Sequence, residues 1–160
     1  MWVNFDELSL DSRVWVFQSN RLLTVDEQNS IDDQLKIFVE QWSTHGAQMH
    51  ASHILLHNCF VVVAADEQKQ AASGCSIDSF TGLFKKFGEQ YNLSFFDRFS
   101  VAHKSNSEVV ISALNDFKKL IRARIVTENT IVFNNLITTK EDLLNKWELP
   151  LKESWQKRYL

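Results

Sequence analysis

Residues 59–80, CFVVVAADEQKQAASGCSIDSF, hold the pattern on which the reading of this chain turns. Phe60 to Ala65 is an uninterrupted apolar run of strand length, and it ends in two carboxylates, Asp66 and Glu67. A small polar loop then delivers Cys75 to what reads as a helix N-terminus, where backbone N–H groups lack partners. Ile77, Phe80, Phe84, Phe87 and Tyr91 follow at helical spacing, with Asp78 placed against the helix dipole.

Upstream, Ala51 to Leu56 is a second strand candidate, joined to the first by His57-Asn58. Asn tolerates the left-handed backbone that a two-residue turn needs, and that register would set Val62 opposite His53. Thr24 to Trp42 is the clearest helix. Thr24-Val-Asp-Glu27 forms a capping box, and Ile31, Leu35, Phe38 and Trp42 recur at helical spacing before Gly46. Arg13 to Gln18, RVWVFQ, is β-branched and aromatic with apolar residues in both parities, so it reads as a central strand with both faces covered.

Downstream, Phe95 to His103 reads as a strand, and Ser105-Asn106-Ser107 turns it into Glu108 to Ser112. Leu114 to Arg124 is a basic helix, and Thr130 to Phe133 a short strand. Thr139 caps a helix leading to Trp147, and Pro150 precedes a last helix from Leu151 to Tyr159. The first hundred residues thus run strand, helix, strand, strand, helix, strand. That is the order of a ferredoxin-like βαββαβ core in an α+β fold. The expectation is a single domain over residues 1–160. Residues 1–103 would form the core, and 104–160 an extension adding an edge strand and helices over the bare sheet face.

In such a sheet the polar residues sort to two ends. One end collects His45, Asp66, Glu67, Cys75, Ser76, Asp78 and His103. A thiol at a helix N-terminus beside an imidazole has its pKa lowered, and the thiolate is the nucleophile. The catalytic candidates are therefore Cys75 as nucleophile, His45 or His103 as base, and Asp66 as orienting group. Glu67, Ser76, Asp78 and His103 are further pocket candidates. The three acids oppose thiolate formation. The alternative for Cys75 is a small residue packing a helix onto the sheet.

Other chemistries find less support. His53 and His57 share a strand parity with Cys59 beyond the turn, but no third ligand can be named, so no metal is expected. No GxxxxGK[ST] phosphate loop occurs, and no cofactor is expected. A net charge of −3 and the missing basic-glycine-aromatic motif argue against nucleic acid. The six-residue apolar run is far too short to cross a membrane. MWVNFDELSL has no basic leader, and two cysteines without paired spacing fit a reducing compartment, so a cytoplasmic protein is expected. Trp15, Trp42 and Trp147 fit apolar stripes. Trp2 and Trp155, near the termini, would mark a partner surface if exposed.

RVWVFQSNR, FVEQWSTHG, DEQ with ASGCSID, FFDRF and WELPLKESWQKR together resemble a family of uncharacterised small bacterial proteins, some of which are labelled "ABC transporter ATPase". The resemblance implies a bacterial single-domain protein of this length and carries no active site. The missing phosphate loop conflicts with the ATPase label. The functional expectation is a non-enzymatic binding or interaction module that forms a homodimer. The alternative is a small thiol enzyme built on Cys75.

Overall fold

The computed structural model describes residues 1–68 and 70–160, and the chain is α+β. Strand β1 (Arg13–Gln18) leads into helix α1 (Val25–Gln41). Two short strands, β2 (Ser43–Thr44) and β3 (Ala47–Gln48), precede β4 (His50–Leu56), β5 (Phe60–Asp66) and helix α2 (Gly74–Tyr91). Then come β6 (Ser100–Ser105), β7 (Glu108–Ala113), α3 (Leu114–Arg122), β8 (Ile131–Phe133), α4 (Lys140–Asn145) and β9 (Glu148–Pro150). Short 3-10 turns lie at Phe5–Glu7, Leu151–Glu153 and Trp155–Tyr159.

The apolar run is the centre of the molecule. β5 lies between β1 and β4 in an antiparallel sheet, and Phe60 to Ala65 are all fully buried. Val61, Val63 and Ala65 pack under α1 and α2, against Ile31, Leu35, Phe80 and Phe84. The other parity, Phe60, Val62 and Ala64, meets Ala102, Val109 and Phe133 of a second sheet ordered β7-β6-β8-β9. On that sheet's far side Phe117 of α3 joins Val101, Val132 and Leu151. The layers therefore run helix pair, sheet, sheet, helix.

Several expectations change here. β5, not β1, is the central strand. β1 forms an edge, and on its outer side Arg13 bridges Thr139. The face that α1 and α2 leave bare is covered by a second sheet rather than by helices. β6 does not join β1 as a fourth ferredoxin-type strand, and the boundary drawn at residue 103 falls inside it. The reason is local: Asp97 and Ser94 side chains accept from the Phe99 and Phe96 N–H groups at 2.8 and 3.0 Å. These turns bend residues 94–99 out of the extended state, so the strand starts only at Ser100. The β4–β5 hairpin also gains a residue. His57 and Asn58 take the left-handed turn (φ 52° and 59°), but Leu56 pairs with Phe60, so His53 faces Val63. The stretch after Pro150 forms two 3-10 turns, and Pro150 itself ends β9, an edge strand where its missing N–H is tolerated.

Three sequence signals operate as their chemistry requires. The Thr24 hydroxyl accepts from the Glu27 N–H at 3.2 Å, and the Glu27 carboxylate accepts from the Thr24 N–H at 2.9 Å. Arg21 then binds Glu27 through both guanidinium nitrogens, at 2.9 and 2.8 Å, and donates to the Tyr91 carbonyl at the end of α2. One arginine thus ties the start of one helix to the end of the other. Its hydrogen bonds outweigh burial and hold the Glu27 carboxyl down at about 2. The phenylalanines of α2 fill the helix-side core, where Phe17 stacks on Phe84 at 3.8 Å between ring centroids.

A buried cation was not anticipated. The Lys140 side chain donates to the carbonyls of Phe5, Asp6 and Leu8 at 2.9, 3.1 and 2.7 Å. The Asp6 and Leu8 oxygens accept from no other group among the described residues, while the Phe5 oxygen also takes the Leu8 N–H at 3.2 Å. The ammonium thereby staples the N-terminal segment to α4.

Candidate functional site

The corner at the start of α2 collects chemistry without convergence. Cys75 is exposed on the first turn, after the Ser73 cap, whose hydroxyl accepts from the Ser76 N–H. His45 and Gly46 make the β2–β3 turn, both with positive φ (49° and 79°), and leave His45 exposed. Thr44 and Ser73 meet hydroxyl to hydroxyl at 3.3 Å and hold that turn beside the helix. The acids are spent on the loop: Asp66 accepts from the Gln68 N–H and Glu67 from the Ala72 N–H, both at 2.9 Å. Ser76 is buried with its hydroxyl on the Ser73 carbonyl, and Asp78 is exposed. Among the described residues no hydrogen bond joins Cys75 to His45 or Asp66. His103 is elsewhere, buried in the second sheet with its ring 5.5 Å from Phe117. Burial pushes its imidazole below the ordinary range.

The other thiol, Cys59, is buried and pushed up to about 12 by desolvation, so it is inert as a nucleophile. His53 and His57 part company because the left-handed turn sends His57 to the opposite face. His53 is buried against α1 and donates to Asp32 at 2.8 Å; burial still pushes it below its ordinary 6.5. His57 sits among Phe60, Phe133 and Trp147 and bonds Glu148 at 2.7 Å, whose other oxygen accepts from Lys104 at 2.7 Å. Burial raises the Glu148 carboxyl, but the bonds from Lys104 and His57 together prevail and hold it below the ordinary range. That triad joins the β4–β5 turn to the second sheet and carries no nucleophile. Among the described residues, no three His, Cys, Asp or Glu side chains are grouped to hold a metal ion, and no helix is long and apolar enough to cross a membrane.

Convergence occurs instead where the two sheets meet beside β1. Residues 134–138 run from β8 back to β1, diverging from it to leave a groove of about 370 Å³ walled by Phe80 and Thr81 of α2 and by Leu136. On its other side Leu136 borders a narrow cavity of about 100 Å³ with Gln18, Arg98, Gln156 and Trp155. A third hollow, about 430 Å³, lies between Leu136, Leu149 and Trp155. Leu136 is 73% exposed and Trp155 47% exposed. A polar chain underlies the ridge: the Trp147 indole donates to Asn135 at 2.9 Å, Asn135 to Gln18 at 3.0 Å, and Gln18 to the Ser100 carbonyl at 3.2 Å. It fixes the loop that carries Leu136. The side chains of this region come from 117 residues apart in the case of Gln18 and Asn135, so no local pattern announces it. Only Trp155 was marked by its sequence position.

Compared with family models, curated proteins and solved structures, the chain matches none, so the site is read from its own residues.

Proposed function

We propose that this chain is a non-enzymatic interaction module that self-associates through the surface around Leu136 and Trp155. One observation carries the reading: a largely exposed leucine on a side-chain-braced loop forms the common wall of three adjoining hollows. Apolar patches rimmed by polar groups are where proteins meet partners, and Trp and Arg dominate such contacts. Trp155 stands at the rim with the Arg158 guanidinium 5.6 Å from its ring.

The ferredoxin-like relation enters at this level too. β1, β5 and β4 with α1 and α2 supply five of its six elements, and the position of the sixth, beside β1, is the groove. Two free cysteines favour a cytoplasmic setting. Membership of the small bacterial family that the motifs resemble is proposed alongside, and it brings no site of its own. The thiol-enzyme alternative keeps the exposure of Cys75 as its support, without a partnered base.

Sedimentation velocity across micromolar concentrations tests self-association. The wild-type chain should shift toward a dimer as concentration rises, and Leu136→Asp should stay monomeric with an unchanged far-ultraviolet spectrum. A strict monomer at every concentration, or a dimer indifferent to Leu136→Asp, refutes the surface.

A further inference from the structure

The outer edge of β1 has backbone groups that meet no partner among the described residues. In antiparallel pairing with β5, alternate residues of β1 turn their N–H and C=O inward. Ser19 donates inward to the Cys59 carbonyl, which puts Phe17, Trp15 and Arg13 on the inner side and Val14, Val16 and Gln18 on the outer. The outward Val14 N–H is taken by the Thr138 carbonyl at 2.9 Å. At the other end Asn135 holds the Gln18 side chain at 3.0 Å. Between these tethers the N–H and C=O of Val16 meet no partner among the described residues. Val16 lines the 370 Å³ groove although its side chain packs into the opposite, sheet-to-sheet core, so what it presents there is main chain.

We infer that this edge takes an extended peptide segment as an added strand, one peptide residue exchanging both hydrogen bonds with Val16. A free donor and acceptor on one strand residue are matched by another strand, and side-chain pockets beside the edge then select sequence. Between the Thr138 and Asn135 tethers the free edge covers residues 15–17, about 7 Å at roughly 3.3 Å per residue, enough for two or three peptide residues to pair with it. The groove floor and walls, Trp15, Phe17, Phe80, Ile77 and Leu136, ask for apolar side chains on the face toward α2. Its ends ask for carboxylates. Arg98, beside Gln18, bonds no carboxylate among the described residues, and Arg13 at the far end reaches Glu67 only at 3.8 Å. A second copy is a poorer occupant, because its own Thr138–Thr139 bridge would sit on the paired edge.

This partner goes beyond self-association: the Val16 amide reports it, whereas the oligomeric state reports the Leu136 surface, so each fails separately. The probe is acetyl-Glu-Val-Thr-Val-Glu-amide titrated into the isotope-labelled full chain and followed by amide NMR. The Val16 signal should move, and its hydrogen exchange should slow by about tenfold or more as the amide enters a strand pair. The same peptide N-methylated on its central residue should not bind, which tests the main-chain bonds without altering the protein. Val16→Pro should also abolish binding, since its N–H faces outward and proline is tolerated on a strand edge. A peptide with Lys at both ends should bind more weakly. An unmoved Val16 amide at millimolar peptide, or equal binding of the N-methylated peptide, overturns the added strand. Equal binding of the Lys peptide overturns the acidic preference. Concentration-dependent protection of Val16 without peptide assigns the edge to a second copy and overturns the peptide.

Discussion

The start of α2 and the outer edge of β1 make an instructive pair. The first holds a thiol, an imidazole and three acids within a short span of chain or across one small hairpin, yet each group is either exposed or committed to a loop hydrogen bond. The second holds almost no reactive side chain, yet three hollows, an exposed leucine and a Val16 N–H and C=O without partners among the described residues meet there. Reactivity is a property of residue type, whereas a site is a property of convergence. At α2 the acids close the loop, so the geometry that would orient a base is used up in folding. At β1 the loop 134–138 diverges from the strand, and what folding leaves unused is backbone.

The contrast can be broken at its supports. The wall of the groove hangs on α4, and α4 on Lys140. Replacing Lys140 by Met leaves the Asp6 and Leu8 carbonyls without a donor and strips one of two from the Phe5 carbonyl, and should destabilise the fold by about 3 kcal/mol. Urea denaturation of the purified variant measures this, and a loss below about 1 kcal/mol would show that the staple is dispensable.

A smaller effect reports burial in both sheets through pH. His53 and His103 are held below 6.5 by burial, so the unfolded chain takes up protons more readily. Their contribution is complete above about 6.5 and declines as the pH falls below it. Glu27, at about 2 when folded and 4.5 otherwise, adds a second decline between those values as the capping box and the Arg21 pair are lost. Thermal melts over pH 7 to 2 should therefore fall in two stages. Glu27→Gln should remove most of the lower one and cost about 1–2 kcal/mol near neutrality, through the cap and the ion pair. A single acid transition in Glu27→Gln identical to the wild type would contradict this.

The smallest expected effect is at the α2 corner itself. Cys75→Ser and His45→Ala lie on exposed side chains without partners among the described residues, and each should change stability by no more than about 0.5 kcal/mol. Limiting iodoacetamide followed by intact mass should label Cys75 at the rate of an ordinary exposed thiol. Labelling that is much faster and is slowed by His45→Ala would restore the catalytic reading.

Local chemistry was legible wherever a few neighbouring residues decide the outcome. The capping box, the phenylalanine stripe of α2, and the turns at His57-Asn58 and Asn106-Ser107 all follow from spacing and side-chain type. Single-residue details escaped, as the extra residue in the β4–β5 hairpin shows: it shifts every cross-strand neighbour by one. What covers the second face of β5 was not legible, because a helix and a sheet bury the same apolar parity equally well. The Gln18–Asn135–Trp147 chain and the His57–Glu148–Lys104 triad join distant segments whose polar residues look solvated in isolation.

The sequence by itself thus determined the α+β class, the main helices and strands of its first hundred residues, and the chemistry gathered at the start of α2. Tertiary structure alone decided that β6 leaves β1 for a second sheet, that Lys140 is buried, and that the edge beside Val16 stays open. The physical reason is one of range. Propensity, caps and periodicity act over a few residues, but strand partners and unpaired backbone depend on which distant segment arrives, and one Ser turn and one Asx turn at 94–99 were enough to send it elsewhere.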